Sequence, residues 1–163
     1  AMANKEVAES CFDHMHHAVV DTIYSTSASP DKDLDKMGFE VGQKLCERYV
    51  KDRGFFADDL EIITFLCKDM WTEVYGKQMD KLRTNHKGVF ELQDLRFRAT
   101  LRLSSDTEKA GLDLARRYLH FPCGIIRGAL ATLGLTAAQV RADVTGLPSV
   151  TFVVNTKPPP PAP

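Results

Sequence analysis

Apolar positions along this chain follow two periods, one helical and one extended, arranged in blocks. Val7, Cys11, Met15, Val19 and Ile23 recur every four residues and predict a first helix over residues 5–25. The turn formers and charges of STSASPDKD, residues 25–33, interrupt it. A second stripe, Leu34, Met37, Val41, Leu45 and Tyr49, predicts a helix over residues 34–53. Gly38 and Gly42 lie beside that stripe. Two glycines inside a helix cost about 1 kcal/mol each relative to alanine, a penalty that close approach of another backbone offsets. Gly54 ends this helix, and ADDLE opens a third with acids near the positive end of its dipole. LEIITFLCKDMWTEVY is apolar around much of its circumference, with Leu60, Ile63, Cys67, Met70 and Val74 in one row. That pattern places the third helix centrally, covered on several sides.

The period then drops to two. NHKG, residues 85–88, has turn chemistry, and in GVFELQD Phe90 and Leu92 face away from Glu91 and Gln93. In LRFRATLRL, residues 95–103, Leu95, Phe97, Ala99, Leu101 and Leu103 share one face and Arg96, Arg98, Thr100 and Arg102 the other. The two stretches read as an amphipathic hairpin with a wet side. Ser105 to Glu108 forms a capping box for a fourth helix reaching Tyr118. Pro122 suits the first turn of a fifth helix that ends at Gly134, and Gly124 and Gly128 repeat the spacing of the second helix. VRADVT and SVTFVVN are two further strands, joined at residues 146–148. The order α-α-α-β-β-α-α-β-β predicts an α+β fold: one four-stranded, antiparallel, twisted sheet covered on one face by about five helices. Residues 4–156 form a single domain on this reading, and KPPPPAP, residues 157–163, a disordered proline-rich tail.

Composition narrows the function. The chain has 163 residues, with 21 Lys and Arg against 22 Asp and Glu. That length suits one domain with its own core, and the even balance argues against a nucleic-acid binder. Cys11, Cys46, Cys67 and Cys123 form no C-x-x-C pair, so they read as buried hydrophobes in a reducing compartment. No apolar run is long enough to span a bilayer.

Chemistry is sparse. His14, His16 and His17 are the sharpest metal candidates, but no third ligand is in sight and a solvated helix face is the simpler reading. His86 and Lys87 sit in a turn without an evident carboxylate partner. Neither a G-x-S-x-G elbow nor a glycine-rich phosphate loop occurs. Arg127, among apolar residues, calls for an ion-pair partner. Arg96, Arg98, Arg102 and Arg141 form a basic row on the expected wet face of the sheet, a candidate contact for an acidic partner or an anionic membrane. The reading is of a non-enzyme without cofactor or metal.

Five stretches resemble a known family: MGFEVGQKLCERY, FLCKDMW, QMDKLRTNHKGVFELQD, the Phe97-Arg98 pair and FPCGIIRGAL. Together they are similar to the small subunits of the TRAPP vesicle-tethering complex, in the subunit-six branch of the Bet-three-like family. The run over residues 82–94 is the most specific. The resemblance implies an α+β plait that dimerises through its first two helices with a sister subunit carrying a buried fatty-acyl chain. It implies a place among further TRAPP subunits in an assembly that tethers vesicles and promotes nucleotide exchange on a Rab GTPase in ER-to-Golgi and Golgi traffic. The protein would then be cytoplasmic, peripheral at Golgi and ER–Golgi membranes, and architectural rather than catalytic. Carried onto this sequence, the dimer face uses Met15, Val19, Ile23, Met37, Val41, Gly42 and Leu45. Where the acylated sister has a cysteine, this chain has Phe55 and Phe56, which excludes acylation there and supplies two rings able to fill a lipid channel. A homodimer of the isolated chain is a further expectation, and a module binding a small hydrophobic ligand such as a lipid is the alternative.

Overall fold

Two glycine pairs decide how the helices stack. The computed structural model describes residues 8–51 and 54–157. It opens with α1 (Glu9–Thr26) and α2 (Pro30–Val50). The buried face of α2 is Leu34, Gly38, Gly42 and Cys46, one turn apart each time. This is the neighbour of the stripe expected from the sequence. It packs on α6 (His120–Thr132), whose Gly124 and Gly128 lie in the same seam. A methyl group added at any of the four would overlap a carbonyl of the facing helix: Phe121 for Gly38, Ile125 for Gly42, Asp35 for Gly124 and Phe39 for Gly128. The helices therefore meet backbone to backbone, which is what the glycines make possible.

The central helix is α3 (Asp59–Phe65), a π-helical segment (Leu66–Met70) and α4 (Trp71–Tyr75) in succession. Asp58 caps it by accepting the Glu61 amide at 2.8 Å. Gly76, at φ 75°, ends it in the left-handed region. Lys77 and Asp80 thus lie beyond its end, and Lys81 opens the first strand. Within the π segment the Cys67 carbonyl accepts the Met79 amide at 3.0 Å, which ties the approach to the sheet onto this helix.

The sheet holds β1 (Lys81–Thr84), β2 (Val89–Asp94), β3 (Gln139–Gly146) and β4 (Ser149–Asn155), antiparallel in the order β1-β2-β4-β3. One face is apolar: Leu82, Leu92, Phe152 and Ala142 stand side by side across all four strands. Trp71 meets Phe152 edge-on at 5.2 Å, joining the helical layer to the sheet. The opposite face carries the row Arg83, Glu91, Val153 and Arg141.

The hairpin differs from the one expected. Residues 95–103 are no strand; β2 pairs with residues 81–84 across the 85–88 turn. The chain leaves the sheet at Asp94, whose carboxylate is fully buried. Its oxygens accept the Trp71 indole at 3.0 Å, the Lys77 ammonium and the Arg96 amide. A short 3-10 turn follows (Arg98–Thr100). Phe97 and Thr100 are fixed there by the Pro148 carbonyl, which takes the Phe97 amide at 3.2 Å and the Thr100 hydroxyl at 3.0 Å. Phe97 and Ala99 are buried on either side of Arg98, so a turn reproduces the alternation of a strand. The fourth helix of the sequence reading is α5 (Glu108–Arg117), capped by Thr107 instead of Ser105. Residues 158–163 of the expected tail, and residues 5–7 of the expected first helix, lie outside the described residues.

Candidate interaction surface

The outer sides of α1 and α2 carry large apolar side chains in water. Met15 is 64% exposed, Met37 39%, Phe12 38% and Val41 37%. Three of these belong to the face expected from the sequence. Val19, Ile23 and Leu45 are half-buried against the chain's own core. Gly42 is a correction: it is buried in the α2–α6 seam and has no surface to offer. Phe12 was missed because it lies off the four-residue stripe. Its ring meets Tyr75 at 6.4 Å and His16 at 6.1 Å.

What holds α1 down is equally informative. Its buried side chains are His16 and Val20, a face that a histidine concealed from the hydrophobic pattern. The His16 ring packs among Phe12, Tyr118 and Phe121 at 5.4–6.1 Å. Asp13 pairs with Arg98 at 2.5 Å, and Arg98 also lies 5.4 Å from the Phe12 ring centre. Burial, reinforced by neighbouring His17, lowers the His16 pKa from 6.5 to about 4; Asp13 opposes this. The unfolded chain binds this proton below about pH 6.5, whereas the folded chain refuses it until about pH 4. Stability therefore falls as pH drops through that window, by up to about 3 kcal/mol. Urea denaturation at pH 7, 5.5 and 4.5 should show His16→Phe losing less stability than the parent. Equal losses would assign the effect to other groups.

The four arginines do not share a face. Arg141 alone is on the sheet, exposed in β3 and 3.6 Å from Asp143. Arg96 and Arg102 flank the 3-10 turn in solvent, and Arg98 is occupied on α1. Arg127 pairs with Asp35 across the α2–α6 seam and lies 4.6 Å from the Phe39 ring centre. Phe56 packs on Phe65 at 5.3 Å, while Phe55 is fully exposed and fills nothing. Cys46, Cys67 and Cys123 are buried, which pushes their thiols up to about 11, 12 and 12. They serve as small apolar groups. Cys11 is exposed. Among the described residues no cluster of three His, Cys, Asp or Glu is placed to hold a metal ion, and no helix is long and apolar enough to cross a membrane.

The arrangement is an apolar helical flank on an α+β body. Its family follows from comparison with known proteins: residues 12–157 match the family described as "Transport protein particle (TRAPP) component". The chain belongs to the TRAPP family. Within it this TRAPP chain falls in the subunit-six branch. It is 42% identical over 153 residues to the mouse protein named trafficking protein particle complex subunit 6B, covering 90% of this chain and 95% of that one. It is 39% identical over 151 residues to the bovine subunit 6A, covering 88% and 93%. Among solved structures, its fold matches a Naegleria fowleri trafficking protein particle complex subunit 3 covalently bound to palmitic acid. That match has a TM-score of 0.68 over 89% of this chain and 92% of the other, at 14% identity, a likeness of fold alone.

Proposed function

We propose that this TRAPP chain is a non-catalytic architectural subunit, joined to a sister small subunit through the outer flanks of α1 and α2. The observation that carries the reading is the exposure of Phe12, Met15, Met37 and Val41 on those two helices. Lone exposed apolar side chains are ordinary, but four on two adjoining helices favour burial by a partner. The partner proposed is an acylated sister TRAPP subunit, of the kind the Naegleria fowleri structure represents. Further TRAPP subunits would bind elsewhere, and contact with a Rab GTPase would be indirect. On this reading the protein works in vesicle tethering and GTPase exchange between ER and Golgi, in the cytoplasm and peripheral to those membranes. The core supports architecture over lipid carriage: Trp71, Tyr75, Phe97 and Phe152 fill the space between helices and sheet with mutual ring contacts of 4.3–5.8 Å.

Size-exclusion chromatography of the chain mixed with such a sister subunit at micromolar concentration tests the pairing. The two should co-elute, and Val41→Asp should abolish co-elution while leaving the circular dichroism of the free chain intact. Separate elution of the parent pair would sink the reading; a Val41→Asp chain that pairs normally would exclude this surface.

A further inference from the structure

One end of the sheet finishes in leucines that face water. Leu95 follows the last residue of β2, Leu101 follows the 3-10 turn, and Leu147 lies in the turn between β3 and β4. Each keeps more than a third of its surface exposed. The Pro148 carbonyl gathers them. By accepting the Phe97 amide and the Thr100 hydroxyl it draws residues 95–101 against residues 147–148. Cations stand around this apolar ground. Arg96 and Arg102 are exposed directly beside Leu95 and Leu101. Lys81 is exposed at the start of β1, next to Asp80, whose carboxylate accepts the Leu95 amide at 2.7 Å. Among the described residues no carboxylate pairs with Lys81, Arg96 or Arg102, and the adjacent acids Asp80 and Asp94 are held by Lys77. Asp106, exposed shortly after Arg102, opposes them in part.

We infer that this end of the sheet rests on a bilayer of anionic phospholipid. The three leucines lie in turns, not on a helix face or along a free strand edge, the surfaces against which peptide segments dock. A bilayer asks for no matched shape. Leucines enter the boundary between headgroups and acyl chains, while guanidinium and ammonium groups stay at the lipid phosphates. Lys81, Arg96 and Arg102 supply the attraction to a negatively charged leaflet. The contact is reversible, because a few half-exposed leucines hold far less tightly than a spanning helix. It uses none of Phe12, Met15, Met37 or Val41 and does not depend on the pairing proposed above.

The test is co-sedimentation of the full, untagged chain with vesicles of phosphatidylcholine and phosphatidylserine, against vesicles of phosphatidylcholine alone. The chain should sediment with the first and not the second, and added salt should release it. Arg96→Glu with Arg102→Glu should weaken binding about thirtyfold or more. Leu101→Ser should weaken it as well, with the circular dichroism of the free chain unchanged. Lys87→Glu with Lys157→Glu makes the same change of net charge at the opposite end of the sheet and should leave binding intact, as should Val41→Asp. With a gadolinium-bearing lipid in the vesicles, the amide signals of residues 95–102 of the nitrogen-15-labelled chain should broaden most. No sedimentation at millimolar lipid overturns the inference. So does equal binding to both kinds of vesicle, or equal loss in the two double variants, which would reduce the effect to net charge. A response of residues 95–102 to soluble polyglutamate but not to vesicles would overturn it in favour of an acidic protein.

Discussion

Replacing Gly42 by alanine will lower folding stability by about 3 kcal/mol or more and loosen α2 from α6. The sign is informative, because alanine favours an isolated helix over glycine by about 1 kcal/mol. The added methyl group would lie 2.8 Å from the Ile125 Cα and closer still to its carbonyl. Both are main-chain atoms of a helix, which cannot rotate aside as a side chain would. Overlap thus outweighs propensity, and the helices must separate. Urea denaturation followed by circular dichroism measures the loss. Gly54→Ala is the control, since nothing lies within 4 Å of a methyl group there. An unshifted midpoint for Gly42→Ala would mean that the seam is looser than the structure has it.

Asp94→Ala should be comparably damaging, at about 3–5 kcal/mol, because it strips a buried indole and an ammonium of their common acceptor. Lys77 is one-third exposed and regains water when its partner goes; the Trp71 N–H cannot. Most of the loss therefore belongs to the indole. Lys77→Met leaves the buried Asp94 carboxylate without its counter-charge, though still with the indole and the Arg96 amide as donors, and should also destabilise, by about 3 kcal/mol. Trp71 is the chain's single tryptophan, so its fluorescence follows the same event during denaturation. A Lys77→Met chain as stable as the parent would mean that the indole and the Arg96 amide alone satisfy the Asp94 carboxylate.

The helical half of the fold was legible because its periodicity is long and its boundaries carry turn chemistry. The glycine pairs announced close contact and delivered it. The error at residues 95–103 has a definite cause. Burial of Phe97 and Ala99 with Arg98 between them satisfies a period of two whether the backbone is a strand or a turn. The difference lay in Asp94, whose carboxylate ends β2 by collecting donors from Trp71 and Lys77 as well as from the neighbouring Arg96 amide, and no local pattern encodes the two distant ones. The partner β1 was hidden for a related reason: KLRT is short, half charged and begins soon after the helix that ends at Tyr75. On the first two helices, apolar spacing singled out Met15, Met37 and Val41, which the structure leaves exposed. It could not tell the outward side of α2 from the inward one, because glycine leaves no hydrophobic mark on the face it buries. On α1 the same blindness applied to His16.

The carbonyl-level fit of α2 against α6 bears on how any assembly would proceed. A helix clamped along its inner side by main-chain atoms has little freedom to slide or roll. Its outer residues, Met37 and Val41, are then presented in a fixed arrangement before any encounter. Docking onto such a preorganised plate forfeits less configurational freedom than docking onto a helix that must first be ordered. Modest apolar area could in that way support a long-lived complex, and the four glycines would then contribute to affinity at a surface they never touch.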